Sequence, residues 1–557
     1  MSRTTVTGAE AVLLALKANG VDRLFVNPGS DFAPVIEAYA TADPDAIPRA
    51  TLCGHENLCV SMAHGYWLAT GRMQAAMVHV NVGLANAAMG MLNAHADDVP
   101  ILLLSGRTPV TEHGREGARR TPIQYGQELF DQSALVRECV KWDYELRYAE
   151  NAADLVARAA AVARTSPEGA AYLSLPREPL CERVAPPGAP LQTASAPPHP
   201  DPEAIAEAAR ILAEAENPLI LCCRGDVEGR VGAAVAAIAE ENDVAVAEVF
   251  ATRNVMATDH PATVGHDTAT LFEAADAILV VDSGVAWVEA KARPRGDAAV
   301  VHLGPDPLFA RMPVRSYRTT LAIQTEAAAG LEALRAAMPG RGDAGRRARI
   351  KAAHDAYLDG WDRKAAAGAR GVATKAYAAR CASAILGDDG VIFNERGGPV
   401  AAFRVAGPNR WFGNTQAGGL GWGLPAALGH QLAHPERLVV AVIGDGSYLF
   451  ANPPACWQVA AAEGLAPLVL LLDNEGYDAV RLSTGEVYPD GEALKRNRPP
   501  MTAFAPAPDH AAQAEAAGVA VWRVERAEEL EAALAEAAAT IRRERRPCLV
   551  ALKVAPE

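Results

Sequence analysis

The segment from Gly444 to Tyr477 reads GDGSYLFANPPACWQVAAAEGLAPLVLLLDNEGY. The apolar run Leu438 to Ile443 precedes it, and a second apolar run, Leu468 to Leu472, lies near its end. The later residues between these runs are rich in alanine and favour a helix. Two parallel strands joined by one helix bring their C-terminal ends to the same edge of a sheet, where ligands bind. The segment therefore predicts a strand–helix–strand unit of a parallel α/β sheet.

Oxygen donors follow both apolar runs. Asp445 offers a carboxylate, Asn474 an amide oxygen and Gly476 a backbone carbonyl, and Mg²⁺ prefers such oxygens together with those of a phosphate. Gly444 and Gly446 allow close approach of the backbone, and the N-terminus of the next helix offers N–H groups to an anion. We therefore predict a Mg²⁺–diphosphate site. The alternative is an ordinary turn that uses Gly and Asp as turn residues.

This segment resembles the signature of thiamin diphosphate (ThDP) enzymes, in which GDG is followed farther along the chain by two asparagines. The first asparagine is replaced here by Asp473, which is a departure from the pattern. The second is Asn474, whose side chain the resemblance places on the metal. The resemblance also places Ser447 and Tyr477 among the residues that bind the cofactor.

Composition limits the possible classes of protein. A chain of 557 residues, half of them hydrophobic, is long enough for about three or four domains with large cores. The net charge of −15 argues against a nucleic-acid-binding protein. The nine cysteines show no CxxC spacing, so neither a disulfide framework nor a zinc site is indicated. The N-terminal segment has the pattern of a capped helix, and no apolar run is long enough to span a membrane. We expect a cytoplasmic enzyme.

Helix-like and strand-like segments alternate along the whole chain. This pattern predicts the α/β class, with three consecutive doubly wound parallel-sheet domains. Under the resemblance these are a pyrimidine-binding domain (1–185), a central Rossmann-like domain (200–340) and a diphosphate-binding domain (370–557). A stretch rich in proline, residues 182–201, predicts a linker. The predicted strands are 23–26, 50–53, 75–80, 101–104, 170–175, 219–222, 244–246, 277–281, 299–302, 391–393, 438–443, 468–472, 519–524 and 548–554.

Glu56 is the first catalytic candidate. It lies in Gly54-His55-Glu56-Asn57, where a predicted strand gives way to a helix. A carboxylate in the first turn of a helix is also favoured by the helix dipole, which is the purely structural alternative. The ThDP resemblance assigns Glu56 a role instead, because the family carries at this place the glutamate that hydrogen-bonds the aminopyrimidine ring of the cofactor.

Further segments resemble the benzoylformate decarboxylase and acetolactate synthase group. They include NPGS (27–30), AMVHVNVGLANAAMG (76–90), AAYLSLPREP (170–179) and AGGLGWGLPAALGHQLAHPERLVVAVIGDGS (417–447). The resemblance places Ser30 against the substrate carboxylate and gives His79 a role in proton transfer. A capping serine and a structurally satisfied histidine remain the alternatives for these two residues.

The resemblance assigns further cofactor and substrate residues. Gly418 and Leu420 belong to the segment that holds the central part of the cofactor. Gly397 and Gly398 stand where relatives place hydroxyl side chains against the diphosphate. Val480 and Gln127 are expected in the substrate pocket, with Gln127-Glu128 corresponding loosely to a Gln-Glu of acetolactate synthases. The stretch from Leu482 to Phe504 departs from relatives and is either a specificity element or a solvated loop.

The resemblance implies a ThDP- and Mg²⁺-dependent enzyme acting on a small-molecule 2-oxo acid, by non-oxidative decarboxylation through an enamine, with possible carboligation. The alternatives are an acetolactate synthase-like carboligase and a non-enzymatic protein of the same fold. The central domain lacks a GxGxxG motif after Cys222, and we expect no FAD. The resemblance also implies a homo-oligomer, at least a dimer and commonly a tetramer, with active sites between subunits. We expect no nucleic-acid or membrane partner.

Overall fold

A computed structural model describes residues 4–496 and 499–555. Three six-stranded sheets, each entirely parallel, follow one another along the chain, and helices separate most of their strands. The expected fold class, three consecutive doubly wound α/β domains, is confirmed. The described chain divides into two compact units. The first contains residues 4–196, 415–436 and 449–465, and the second contains 197–414, 437–448 and 466–555.

The N-terminal part of the chain forms a sheet in the order β3-β2-β4-β5-β7-β6, and β1 pairs with β8 in a separate antiparallel ribbon. Its strands are β1 (Val6–Thr7), β2 (Arg23–Asn27), β3 (Arg49–Leu52), β4 (Gln74–Val78), β5 (Ile101–Arg107), β6 (Trp142–Glu145), β7 (Ala171–Pro176) and β8 (Arg183–Val184). Its helices are α1 (Gly8–Ala18), α2 (Ala33–Thr41), α3 (Glu56–Thr70), α4 (Val80–Ala96), α5 (Ile123–Gly126), α6 (Ala152–Arg164) and α7 (Arg177–Cys181).

The middle part forms a sheet in the order β11-β10-β9-β12-β13-β14. Its strands are β9 (Pro218–Cys222), β10 (Ala245–Glu248), β11 (Thr263–Gly265), β12 (Ala277–Val281), β13 (Ala299–Gly304) and β14 (Leu321–Gln324). Its helices are α8 (Pro202–Glu214), α9 (Arg230–Asn242), α10 (Thr268–Ala274), α11 (Ala327–Ala337) and α12 (Ala344–Ala367).

The C-terminal part forms a sheet in the order β16-β15-β17-β18-β20-β19. Its strands are β15 (Val391–Glu395), β16 (Trp411–Gly413), β17 (Val439–Gly444), β18 (Leu468–Asp473), β19 (Ala520–Val524) and β20 (Cys548–Lys553). The helices are α13 (Lys375–Ala384), α14 (Gly423–Ala433), α15 (Asp445–Phe450), α16 (Pro453–Glu463), α17 (Asp478–Val487), α18 (His510–Ala516) and α19 (Ala527–Glu544).

The central strands are apolar because both faces of a parallel sheet are covered. Val439–Ile443 and Leu468–Leu472 are buried throughout, and β17 and β18 pair in parallel, with Gly444 beside Leu472. The strand–helix–strand unit predicted from the opening segment is therefore present. It brings the residues that follow both strands to one edge of the C-terminal sheet.

The predicted strands agree with the structure to within three residues at their ends. The two-residue strands β1 and β8 were not predicted, and neither were four edge strands of the six-stranded sheets. These are β6, β11, β14 and β16, each of three or four residues. An edge strand pairs on one side only, and these four are too short to show an apolar run.

None of the nine cysteines, all of which lie in the described part of the chain, forms a disulfide. No helix within residues 4–496 and 499–555 has the length and apolar character needed to cross a membrane. Residues 497–498, in the stretch singled out as unlike its relatives, lie outside the described residues.

Candidate active site

Glu56 is the first residue of α3, directly after the turn that ends β3. Its side chain is only 9% exposed, and its Oε2 accepts a hydrogen bond of 3.0 Å from Nδ2 of Asn86 on α4. Gly83, on the same helix, faces Oε1 so closely that a side chain there would crowd it. Glu56 is thus a buried carboxyl group that is positioned by residues of α4.

His79 follows β4 directly and precedes α4. Its Nδ1 lies 2.5 Å from Oδ1 of Asp31, and its Nε2 lies 3.2 Å from Nε2 of Gln127. The hydrogen bond to Asp31 raises the pKa of His79, although partial burial opposes the rise. Ser30 is exposed at the start of the single helical turn that follows β2. The structure therefore brings together His79 and Gln127, two residues singled out from the sequence.

Glu128, the neighbour of Gln127, lies in a cluster of arginines. It forms ion pairs with Arg107, at 2.6 Å, and with Arg119, and it accepts a hydrogen bond from Thr108. These contacts fix the segment that carries Gln127. Gln127 itself is buried.

The glycine-rich segment that contains Gly418 and Leu420 is anchored by α4. Oδ1 of Asn93 accepts hydrogen bonds from the N–H of Gly419, at 3.0 Å, and from the hydroxyl of Thr415, at 2.9 Å. Nδ2 of Asn93 donates to the carbonyl of Gly419, also at 3.0 Å. Gly418 has a φ of +67°, a conformation that glycine adopts without steric cost.

The same segment is held at its end by α3. Nδ2 of Asn57 donates to the carbonyl of Gly421 at 3.1 Å. Gly421 has a φ of +84°, and a side chain there would overlap the backbone carbonyl of Phe450. Both ends of the segment from Gly418 to Gly421 are therefore fixed by asparagine side chains of the first compact unit.

Asp445 is the buried carboxyl group of the candidate site in the second compact unit. It begins α15, is only 2% exposed, and accepts hydrogen bonds from the N–H groups of Gly446, at 2.9 Å, and Gly476, at 3.0 Å. Burial raises its pKa to about 7, and the neighbouring Asp473 contributes to the rise. Among the described residues Asp445 forms no ion pair with a lysine, arginine or histidine, although such a buried carboxylate calls for a cation.

The surroundings of Asp445 fit a metal-bound diphosphate. Asn474 and Gly476 follow β18, the strand next to β17, and supply hard oxygens of the kind that Mg²⁺ prefers. A side chain at Gly446 would overlap the ring of Tyr477, so glycine is needed for the backbone at residue 446 to lie this close to that ring. Ser447 is buried one residue farther along α15.

Gly397 and Gly398 lie in the loop after β15. The N–H of Gly398 donates to Oδ1 of Asn394 at 2.9 Å, and the carbonyl of Gly398 accepts from Nδ2 of the same side chain at 3.0 Å. A side chain at Gly397 would overlap the carbonyl of Val442 on β17. The loop thus lies tightly against the strand that leads to Asp445.

Val480 lies on α17 and is 49% exposed. Asp478, at the start of this helix, forms an ion pair of 2.9 Å with Lys375, which fixes the beginning of α17. The first residues of the segment 482–504, up to Val487, belong to α17 itself.

Sequence reasoning missed the polar residues that hold the candidate residues in place. These are Asp31, Asn57, Asn86 and Asn93. Asn86 and Asn93 are seven residues apart, so they lie on one face of α4. Polar residues at helical spacing in a largely apolar helix were the available signal. Asp31 directly follows the NPGS segment and could have been considered with Ser30.

Three domain models of one family match the chain. The description "Thiamine pyrophosphate enzyme, N-terminal TPP binding domain" covers residues 6–135, the central domain covers 205–334, and the C-terminal TPP binding domain covers 398–552. Together they account for most of the chain.

Individual proteins show the same relationship. Benzoylformate decarboxylase of Pseudomonas aeruginosa is 28% identical over 95% of this chain and 96% of its own length. The acetolactate synthase large subunit of Parasynechococcus marenigrum is 24% identical over 86% of this chain and 78% of its own length. The solved structure of a ThDP-dependent 4-hydroxybenzoylformate decarboxylase from Rhodococcus jostii matches 99% of this chain and 100% of that chain, with a TM-score of 0.78 and 23% identity.

Proposed function

Because the chain belongs to the thiamine pyrophosphate enzyme family, we propose that it is a ThDP- and Mg²⁺-dependent enzyme that decarboxylates a 2-oxo acid. The product is an aldehyde, or an acyloin formed with a second carbonyl compound. The relationship to benzoylformate decarboxylase and acetolactate synthase supports this class of reaction. One observation carries the proposal: the two TPP binding domain models span Glu56 and Asp445, and both carboxyl groups are buried.

The second compact unit supplies the groups for the metal and the diphosphate. In this proposal Asp445, Asn474 and the carbonyl of Gly476 hold Mg²⁺. Backbone groups at Gly444, Gly446 and Ser447 approach the diphosphate, with the loop of Gly397 and Gly398 beside them. Desolvation raises the pKa of Asp445, and a divalent cation would restore its charged form.

The remaining cofactor contacts are assigned to Glu56, Gly418, Leu420 and Tyr477. Glu56 would hydrogen-bond the pyrimidine ring, and its burial excludes water from that contact. Bound ThDP would supply a nucleophilic carbon and an acceptor for the electron pair left when CO₂ departs. The chain itself orients the substrate and moves protons.

The substrate side is assigned to His79, Ser30, Gln127 and Val480. His79 can hold a positive charge because Asp31 stabilises it, so it can attract the substrate carboxylate or give up a proton. The hydroxyl of Ser30 is exposed and can donate to a carboxylate. Val480 offers an exposed apolar surface to the rest of the substrate.

The test is turnover of a panel of 2-oxo acids: pyruvate, a branched-chain acid, phenylpyruvate and benzoylformate. CO₂ release is measured with and without ThDP and Mg²⁺, and products are identified by mass spectrometry. We expect release from at least one member that depends on both additions. Acetolactate from pyruvate would select the acetolactate synthase-like alternative. Saturable ThDP binding without turnover of any member would contradict the proposed activity and favour the non-enzymatic alternative.

We also propose that the protein is a cytoplasmic homo-oligomer with active sites between subunits. The minimal assembly is a dimer, and the complete assembly is a tetramer. Side chains on and after α4 support this assembly, because Val82, Leu92 and Phe130 are apolar and exposed. We assign the pyrimidine-binding, central and diphosphate-binding domains to residues 1–185, 200–340 and 370–557. We assign no FAD to the central domain.

A further inference from the structure

Asp31 and His79 form a pair at the C-terminal edge of the N-terminal sheet. The strands β2, β4 and β5 are adjacent in this sheet. Asp31 follows β2, His79 follows β4, and Gly106 lies at the end of β5. Three neighbouring strands thus build the place where Oδ1 of Asp31 meets Nδ1 of His79 at 2.5 Å.

Two glycines leave room for this pair. A side chain at Gly29 would overlap the imidazole ring of His79. A side chain at Gly106 would overlap the carboxylate of Asp31. Both positions have φ values that other residues adopt, so close approach, not backbone conformation, requires glycine there. The fold therefore keeps the pair in a single arrangement.

Both oxygens of Asp31 have partners. Oδ2 accepts a hydrogen bond of 3.2 Å from the N–H of Val80, the first residue of α4. Asp31 is 4% exposed. A buried carboxylate at this distance favours a proton on Nδ1 of His79 and leaves Nε2 as the exchangeable nitrogen.

Gln127 meets the other side of the imidazole ring. Its Nε2 lies 3.2 Å from Nε2 of His79, so it can donate to the neutral ring. When the ring is protonated, the same amide, turned over, can accept through its oxygen. Gln127 can therefore contact His79 in both protonation states without moving its backbone.

We propose that Asp31 is a positioning residue, which fixes the Nδ1-protonated form and the orientation of His79. Nε2 of His79 then takes up and delivers the proton of the reaction, and Gln127 is the hydrogen-bond partner of this nitrogen. The catalytic part of this inference rests on the proposed function. The positioning part rests on the contacts alone. The charged groups that act on His79 are Asp31 after β2 and Glu56 on α3.

The alternative role for Asp31 is purely structural, because its Oδ2 also caps the start of α4. A structural role predicts that Asp31→Asn changes stability while the titration of His79 stays the same. The positioning role predicts a change in that titration. The two roles therefore differ in a measurement that needs no substrate.

The experiment measures deuterium exchange at Cε1 of His79 as a function of pH, in the full-length protein without cofactor, by mass spectrometry of the peptide that carries it. In the wild type we expect the midpoint to lie above the ordinary value of about 6.5. In Asp31→Asn we expect it to fall by about one pH unit. Asp131→Asn is the matched control, because Asp131 is exposed and pairs with Arg137; it should leave the midpoint unchanged.

An unchanged midpoint in Asp31→Asn would overturn the proposal. A wild-type midpoint at or below the ordinary value would overturn it as well, even if the variant failed to fold. For the catalytic part, we expect kcat of Asp31→Asn to fall at least about tenfold, with KM changed much less. A shifted midpoint in a protein that turns over no 2-oxo acid would contradict the proposed function and retain the positioning role.

Discussion

At Asp445, burial opposes the charged form of a carboxyl group. Its carboxylate has two backbone N–H donors and an acidic neighbour, Asp473, so the charged form is poorly compensated in the chain alone. A divalent cation bound there would remove the conflict. This is a physical reason, independent of the motif, to expect a metal at this edge of the sheet.

Replacement of Asp445 should therefore weaken cofactor binding. We expect Asp445→Asn to weaken binding of ThDP with Mg²⁺ at least tenfold, measured by isothermal titration calorimetry, because a carboxylate ligand is lost. Asp473→Asn is the matched control. An asparagine there can still accept from the N–H of Glu475, so its affinity should stay within a few-fold of the wild type. Equal affinities for Asp445→Asn and the wild type would argue against the assigned metal site.

Glu248 is a buried carboxyl group at the end of β10. It is only 5% exposed, and desolvation raises its pKa from 4.5 to about 7. The protonated form is therefore favoured in the folded state. The resulting contribution to stability is fully present below about pH 4.5 and is lost as pH rises through 7, an effect of about 3 kcal/mol.

Glu248→Gln should remove this dependence on pH, because glutamine can still accept from the N–H of Met256. We expect the difference between the thermal unfolding midpoints of the variant and the wild type to shift in favour of the variant as the pH is raised from 5 to 8. The exposed Glu273→Gln serves as a control. Parallel curves for the wild type and Glu248→Gln would show that Glu248 does not titrate in this range.

The sequence predicted Glu56, His79 and Asp445 because each stands at a strand end, in a motif with a chemical reason for its spacing. The contacts of Asp31, Asn86 and Asn93 were not predicted, because they depend on which strands and helices are neighbours. The order β3-β2-β4-β5 places Asp31 next to His79 although 48 residues separate them in the sequence. A single sequence does not reveal such strand order.

At the scale of elements, α4 connects several parts of the candidate site. Its first turn follows His79, and farther along it carries Asn86, which holds Glu56, and Asn93, which holds the glycine-rich segment. One rigid helix thus sets the positions of groups that are far apart in the sequence. This arrangement gives Asn86 and Asn93 a structural role on a largely apolar helix.

Asn93→Ala should loosen the glycine-rich segment. Three hydrogen bonds are lost, and each contributes about 1 kcal/mol. We expect amide deuterium exchange in a peptide covering residues 415–423 to become at least about tenfold faster, and the unfolding midpoint to fall. Asn151→Ala is a suitable control, because Asn151 is exposed and its side chain does not cap α6. Unchanged exchange in Asn93→Ala would show that other contacts hold the segment.

The position of a strand in its sheet explains why some strands were not predicted from the sequence. The central strands of each sheet have apolar runs because they are covered on both faces, and they were predicted. β6 and β14 lie at sheet edges, and most of their residues are polar or partly exposed, so neither strand shows a buried apolar run. Their existence depends on pairing with β7 and β13, which local sequence does not encode.

At the scale of the whole molecule, the assignment of active sites to subunit interfaces makes a sharp prediction. Glu56→Gln and Asp445→Asn should each be inactive alone. If each site takes Glu56 from one subunit and Asp445 from another, a mixed dimer contains one site with both residues intact. Dissociating and reassembling an equal mixture should then restore about a quarter of wild-type activity.

A matched mixture controls this experiment. Glu56→Gln reassembled with a chain that carries both substitutions should stay inactive, because no subunit pair contains an intact site. Recovery in neither mixture, with mixed oligomers confirmed by native mass spectrometry, would show that Glu56 and Asp445 of the same chain serve the same site.

CO₂ release by Glu56→Gln, compared with that of the wild type on the best 2-oxo acid, tests the role of Glu56 directly. ThDP binding is measured in both proteins. Because the diphosphate and metal groups are untouched, we expect ThDP affinity within about tenfold of the wild type and a loss of turnover of at least about a hundredfold. Full turnover by Glu56→Gln with bound ThDP would contradict the assignment of Glu56, and with it the proposed mechanism.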